Sequence, residues 1–106
     1  MRHLPHLASL TVTVVLALAG AAQAQTSEAL NLRSLAASCA QCHGTDGRSA
    51  PGSSVPPIAG MPRDYLAAQL KAFKAGTRPS TVMGQLAKGF SDAQLEQLAD
   101  YFNRQR

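Results

Sequence analysis

The chain places apolar residues at the spacing of an amphipathic helix in three segments. The first of these helices is predicted from Ser27 to the residues just before Gly44. Its apolar face consists of Leu32, Leu35, Ala36 and Cys39. This spacing predicts that one cysteine lies on the apolar face near the end of the helix.

The second predicted helix begins near Pro62, which suits a first helical position, and ends before Gly76. The third begins at Ser91, because Ser91 and Gln94 have the spacing of a capping box. The apolar stripes of these two helices are Leu66, Leu70 and Phe73, and Leu95, Leu98, Ala99 and Phe102. No segment shows a sustained strand-like alternation, so the sequence predicts an all-α fold.

Two segments between the predicted helices favour irregular backbone. Residues 44–60 are dense in glycine and proline and predict a long ordered loop. Residues 77–89 form the second irregular segment, with a short helical turn expected from Gln85 to Lys88. A structureless loop as long as the first is unusual in a small domain, so we expect it to wrap a large rigid group.

Residues 1–24 differ in composition from the rest of the chain. Residues 1–6 carry positive charge, residues 7–19 form an apolar run, and residues 22–24 are a small-x-small site. This order is typical of a secretory signal peptide, with cleavage expected before Gln25 and export to the periplasm. A retained membrane anchor is the alternative, but the apolar run is shorter than the ~20 residues that a spanning helix needs.

Residues 25–106 are expected to form one small domain without a membrane span. The whole chain has 10 Lys and Arg against 6 Asp and Glu, with a net charge of +4. It shows no run of like charges and no interleaving of aromatic and basic residues, which argues against nucleic acid as a partner. A domain this small has a marginal core, and cysteines three positions apart add little as a disulfide. Another ligand is therefore expected to stabilise the fold.

The segment Cys39-Ala40-Gln41-Cys42-His43 has the C-x-x-C-H spacing of a c-type haem attachment site. On the last turn of a helix the two thiols can reach two vinyl groups at one porphyrin edge, and His43 can coordinate iron. A thioredoxin-like pair would need a βαβ context, and a zinc site would need further Cys or His ligands after residue 24. The motif predicts one covalently attached haem c.

The sixth ligand of the iron decides between electron transfer and substrate chemistry. Two methionines follow the predicted signal peptide, Met61 and Met83. Met83 is the expected ligand because irregular backbone more readily directs a thioether toward iron, and Met61 is the alternative. A peroxidase or ligand sensor would need a distal polar residue, and the sequence offers no distal histidine. A structural haem domain tethered to a larger enzyme cannot be separated from an electron carrier by motif alone.

The order of these motifs resembles that of class I cytochromes c. The matching residues are Cys39 to Gly44, Pro56-Pro57-Ile58-Ala59-Gly60, Met83, and Leu98 to Phe102. In that family the proline at the position of Pro56 offers its carbonyl to the Nδ1–H of the proximal histidine, here His43. The resemblance thus implies a small class I cytochrome c fold wrapped around one haem, with Nε2 of His43 facing the iron.

Three further segments are similar to cytochrome c4 and to flavocytochrome c: residues 44–47, residues 65–76 and residues 80–83. Residues 80–83 followed by residues 87–92 are particularly similar to the cytochrome subunit of flavocytochrome c sulfide dehydrogenase. The resemblance implies a periplasmic monohaem cytochrome that accepts electrons from a flavoprotein and has no catalytic residue of its own. A freestanding electron shuttle between respiratory complexes is the alternative. Many proteins of these groups carry two such halves, whereas this chain carries one.

The charged residues suggest how a redox partner would be recognised. The basic residues before the last helix are Arg63, Lys71, Lys74, Arg78 and Lys88, and the acidic residues of that helix are Asp92, Glu96 and Asp100. We expect the two sets to be segregated, with the basic set meeting an acidic partner in a salt-sensitive association. A solvated helix face is the alternative.

Overall fold

The computed structural model describes residues 26–105, which divide into two units between Asn31 and Leu32. The predicted signal peptide and its cleavage site before Gln25 lie outside the described residues. None of the helices described is long and apolar enough to cross a membrane.

Residues 26–105 form four α-helices and one short 3₁₀ turn, without a strand among them. Helix α1 covers residues 26–43 and is followed by the 3₁₀ turn Thr45–Gly47. Helices α2, α3 and α4 are Arg63–Ala75, Met83–Lys88 and Asp92–Asn103. The prediction of an all-α fold is confirmed for this part of the chain.

The predicted start and stop signals of α2 and α4 lie at the observed helix ends. Gly76 ends α2 in the left-handed conformation with φ 76°, and its N–H bonds the carbonyls of Ala72 and Phe73. At the start of α4 the Gln94 N–H donates to Ser91 Oγ, at 3.2 Å, and the Ser91 N–H donates to Gln94 Oε1, at 2.8 Å. This capping box satisfies two backbone groups that the helix itself leaves unpaired.

Helix α3 starts two residues earlier than the turn expected at Gln85. Its first turn is stabilised by Ser80, whose Oγ accepts the Gly84 N–H at 2.8 Å. The carbonyl of Val82 accepts the N–H groups of Gln85 and Leu86. Met83 is therefore the first residue of a helix, and the expectation that it lies on irregular backbone was wrong.

The core of the second unit is built around α4. All four apolar positions predicted for α4 are buried, and they cluster with one alanine of α1 and two residues of α2. The cluster consists of Ala36, Leu66, Ala67, Leu95, Leu98, Ala99 and Phe102. Leu70 of α2 is only half-buried, so the predicted stripe of α2 is less completely enclosed than that of α4. The alanines allow the three helices to approach closely, which keeps this core small.

Leu98→Ala should destabilise the protein by about 2–5 kcal/mol, because Leu98 is 1% exposed and its truncation leaves a cavity. Denaturant unfolding of the intact protein, followed by circular dichroism, measures this change. Gln97→Ala on the exposed side of α4 is the matched control. A Leu98→Ala change as small as that of the control would contradict a core centred on α4.

Candidate functional site

The last turns of α1 carry both cysteines and the histidine of the C-x-x-C-H motif. Cys39 and Cys42 are both free thiols, and three-residue spacing places them on one side of the helix. Cys39 is half-buried against the hydrophobic cluster, whereas Cys42 is exposed. Burial raises the pKa of the Cys39 thiol, opposed by a weaker effect of the hydroxyl of Ser38.

His43 is buried and its ring is oriented by the long loop. Its Nδ1 lies 2.6 Å from the carbonyl oxygen of Pro56. A carbonyl can only accept, so Nδ1 carries the proton and donates it. In the neutral imidazole this leaves the lone pair of Nε2 as the group that can coordinate a metal.

The 3₁₀ turn after α1 positions the segment that carries Pro56. The carbonyl of Gly47 accepts the N–H groups of Ile58, at 2.9 Å, and Ala59, at 3.1 Å. Gly47 has φ 80°, and a Cβ there would lie 2.8 Å from Ile58 Cγ1 and 2.9 Å from Phe102 Cδ1. A side chain at this position would force the turn away from the loop segment.

The C-terminal half of α4 holds the same loop from the other side. Tyr101 donates its hydroxyl hydrogen to Asp46 Oδ1 at 2.7 Å. The Gly60 N–H donates to the Phe102 carbonyl at 2.8 Å, and Asn103 Nδ2 donates to the carbonyl of Met61 at 2.8 Å. Both ends of the loop are thus fastened to the helix at the centre of the core.

The hydrogen bond to Asp46 also changes the acid–base behaviour of Tyr101. Together with partial burial it raises the pKa of the Tyr101 phenol above its ordinary value. The carboxylate of Asp46 therefore favours the neutral phenol, which is the form that donates to it.

The two methionines lie in different surroundings. Met61 is half-buried and packs against the hydrophobic cluster, so its side chain serves the core. Met83 is half-buried at the start of α3 and is not among the residues packed against that cluster. This difference favours Met83 over Met61 as a metal ligand.

The donor groups of the described residues fit an iron porphyrin. Residues 26–105 contain no group of three or more His, Cys, Asp or Glu side chains that could hold a bare metal ion. They do contain a histidine with Nε2 free to coordinate, a methionine outside the core, and two free thiols on one helix face. A porphyrin supplies four iron ligands itself, so single donors of this kind suit it.

The expected segregation of charge was wrong. Lys71 and Arg63 of α2 both form ion pairs with Glu96 of α4, and Lys74 pairs with Asp92 at 2.7 Å. The basic and acidic residues therefore face one another across the contact between α2 and α4.

The two remaining members of the basic set have other surroundings. The Arg78 guanidinium stacks over Phe73, 4.6 Å from the ring centroid, and bonds Gln69 Oε1 at 2.5 Å. Lys88 is exposed in the last turn of α3. Of the basic set, only these two residues lie outside the ion pairs between α2 and α4.

Sequence reasoning missed the contacts that fasten the loop. Tyr101 and Asp46 lie 55 positions apart, and nothing in their local sequence pairs them. The same is true of Asn103 and Met61, 42 positions apart. The dense glycines of the loop were a usable signal, because a glycine between helices often marks a close backbone approach, as at Gly47.

Comparison with known proteins gives three consistent similarities. Residues 32–105 match the cytochrome c family. The chain is 47% identical over 68 residues to the cytochrome subunit of sulfide dehydrogenase from Chlorobaculum tepidum, covering 64% of this chain and 60% of that protein. It is 45% identical over 69 residues to a thiosulfate dehydrogenase electron acceptor from Thiomonas intermedia, covering 65% of this chain and 32% of that protein.

A solved structure, the cytochrome c4 of Acidithiobacillus ferrooxidans, has a similar fold. It aligns with a TM-score of 0.57 and 40% sequence identity, over 61% of this chain and 37% of that chain. The all-α arrangement is therefore that of the class I cytochromes c. The matched region spans about a third to three fifths of the length of these relatives.

Gly47→Ala should destabilise the protein more than Gly76→Ala, although both glycines have φ near 80°. At Gly76 a Cβ meets nothing within 4 Å, so only the left-handed conformation is penalised, by about 1–2 kcal/mol. At Gly47 overpacking against Ile58 and Phe102 adds about 1–3 kcal/mol. Parallel denaturant unfolding of the two variants measures the difference, and equal losses would contradict the close approach at Gly47.

Glu96→Gln should make the stability of the protein less sensitive to acid. The hydrogen bond from Lys71, aided by the charge of Arg63, holds the pKa of Glu96 below its ordinary value. These contacts therefore stabilise the fold fully at pH values above the unfolded-state pKa of Glu96, which is about 4.3. The stabilisation is lost as the pH falls through the lower pKa that Glu96 has in the folded state.

Denaturant unfolding from neutral pH down to about pH 3 measures this effect. Glu28→Gln, which removes an exposed carboxylate on α1, is the control. Identical pH dependence of the two variants would show that the ion pairs with Glu96 do not contribute.

Proposed function

This chain belongs to the cytochrome c family, and from that membership we propose that it is a periplasmic monohaem cytochrome that transfers electrons. The observation that carries the proposal is the hydrogen bond from His43 Nδ1 to the Pro56 carbonyl at 2.6 Å. It fixes the tautomer in which Nε2 can coordinate iron, directly beside two free thiols at haem-attachment spacing.

In this proposal each site residue has a separate task. Cys39 and Cys42 attach one haem c through thioether bonds, and His43 and Met83 are the axial ligands. Pro56 orients the imidazole and makes it more basic by accepting the Nδ1–H. Met61 belongs to the core.

The ligand set explains why electron transfer is the activity. Haem c, when bound, supplies a one-electron couple between ferric and ferrous iron. With His43 and Met83 both coordinated, no position remains for a substrate, as a peroxidase or a ligand sensor would require. The residues of the protein then set the reduction potential and limit access, and none acts as an acid, base or nucleophile.

The predicted signal peptide, residues 1–24, is the basis for a periplasmic location. We propose cleavage before Gln25, so that residues 25–106 form the mature cytochrome.

The electron donor proposed is a periplasmic flavoprotein that oxidises sulfide. The similarity to the Chlorobaculum tepidum protein supports it, since that protein is named as the cytochrome subunit of sulfide dehydrogenase. The Thiomonas intermedia relative, named as an electron acceptor of thiosulfate dehydrogenase, supports oxidation of a reduced sulfur compound more broadly. The alternative is a freestanding shuttle, favoured by the likeness to cytochrome c4.

Met83→Ala should abolish the methionine-to-iron charge-transfer band of the ferric protein, whereas Met61→Ala should keep it. The physical reason is that the Met61 side chain packs against the core cluster, whereas the Met83 side chain is not among the residues that do so. Absorption spectroscopy of both haem-loaded variants makes the comparison. Loss of the band in Met61→Ala alone would show that Met61, and not Met83, is the iron ligand. A wild-type protein without the band would contradict methionine ligation.

The haem should be reduced during turnover of sulfide by the candidate flavoprotein, in a stopped-flow experiment with the two proteins and sulfide. A parallel reaction with a thiosulfate dehydrogenase and thiosulfate is the comparison. Reduction only in the second reaction would contradict the flavoprotein donor. Reduction in neither, together with rapid electron exchange with respiratory complexes, would favour the shuttle.

A further inference from the structure

Asp46 has a backbone conformation that needs an explanation. Its φ is 53°, and it is the only non-glycine residue with positive φ among the described residues. Such a conformation is unfavourable for most side chains, Asp and Asn adopt it more readily than others, and surrounding contacts stabilise it here. Two such contacts are present: the hydroxyl of Tyr101 at 2.7 Å and an ion pair with Arg48 at 3.5 Å.

Tyr101 is well suited to hold this turn in place. Its ring packs against the hydrophobic cluster and meets Phe102 edge-on, with ring centroids 5.1 Å apart. The neighbouring Phe102 is 2% exposed, so this part of α4 is anchored in the core. The phenol thus extends from a rigid helix to the 3₁₀ turn.

The 3₁₀ turn Thr45–Gly47 determines where the Pro56 carbonyl lies. Asp46 is followed by Gly47, whose carbonyl accepts the N–H groups of Ile58 and Ala59. Pro56 precedes Ile58 by two residues, and its carbonyl accepts the proton of His43 Nδ1. A shift of the turn therefore displaces the acceptor of the histidine hydrogen bond.

We propose that Asp46 and Tyr101 are positioning residues for His43. The hydrogen bond between Tyr101 and Asp46 holds the 3₁₀ turn in place, and the turn keeps the Pro56 carbonyl at Nδ1 of His43. The inference rests on the proposed function, in which His43 is the proximal iron ligand. A shorter hydrogen bond from Nδ1–H makes the imidazole a stronger electron donor and stabilises ferric iron. Tyr101 and Asp46 thereby help to set the reduction potential without touching the ligand.

The test uses the haem-loaded protein with nitrogen-15 in histidine. NMR of the ferrous form measures the rate at which the His43 Nδ1–H exchanges with solvent. A redox titration measures the midpoint potential. Tyr101→Phe should raise the exchange rate by roughly five- to tenfold, the effect of weakening one hydrogen bond, and should raise the potential.

A second variant breaks the same contact from the other side. Asp46→Gly removes the acceptor while allowing positive φ, and it should reproduce both changes. Adding Tyr101→Phe to Asp46→Gly should then have no further effect, because the pair acts as a unit. Additive changes in the double variant would overturn the proposal.

Two conservative variants separate the hydrogen bond from other effects. Asp46→Asn keeps an acceptor oxygen and tolerates positive φ, so it should stay close to the wild type, although it loses the charge paired with Arg48. Tyr65→Phe removes the hydroxyl of an exposed tyrosine and should change nothing. If Asp46→Asn changes both readouts while Tyr101→Phe leaves them unaltered, the charge rather than the phenol is responsible and the proposal fails.

Leu98→Ala separates positioning from general loss of stability. It weakens the core while leaving the Tyr101 contact intact, so the potential and the exchange rate in the folded state should be unchanged. Equal changes in Leu98→Ala would overturn the positioning role. If Tyr101→Phe leaves both readouts unaltered in a protein with normal histidine ligation, this inference alone fails. A haem-loaded wild-type protein in which His43 is not bound to the iron would instead contradict the proposed function.

Discussion

The hydrogen bond between His43 and the Pro56 carbonyl sets the requirement that the rest of the described structure meets. A carbonyl at 2.6 Å from Nδ1 must come from a segment that is held still, yet Pro56 lies in a loop without regular structure. Backbone bonds to the 3₁₀ turn and contacts to α4 immobilise that loop. The order of the loop is therefore a consequence of tertiary contacts rather than of local propensity.

Helix α4 connects the core to the site. One face of α4 supplies Leu95, Leu98, Ala99 and Phe102 to the hydrophobic cluster, and its C-terminal half fastens both ends of the loop. The same helix pairs with α2 through the ion pairs of Glu96 and Asp92. Exposed ion pairs contribute little each, so the apolar face of α4 provides most of the stability.

The arrangement of groups suits a protein that moves electrons without chemical work on a substrate. Its relatives include proteins named as the cytochrome subunit of sulfide dehydrogenase and as the electron acceptor of thiosulfate dehydrogenase. In such a protein the adjustable properties are the potential and the recognition of partners. Of the basic set Arg63, Lys71, Lys74, Arg78 and Lys88, only Arg78 and Lys88 lie outside the ion pairs between α2 and α4.

The features that depend on neighbouring residues were predictable from the sequence. The end of α2 follows from Gly76, and the start of α4 follows from the capping box of Ser91 and Gln94. The haem motif consists of five consecutive residues. Both kinds of signal are local, because capping and haem attachment act within one helical turn. The start of α3 at Met83 also rests on local hydrogen bonds, those of Ser80 and Val82, although the sequence reasoning missed it. The ion pairs of Glu96 and the contact of Tyr101 with Asp46 were decided by tertiary structure. Each joins groups that packing brings together across the fold, and no periodicity or local signal in the chain encodes which distant partner a polar side chain will meet.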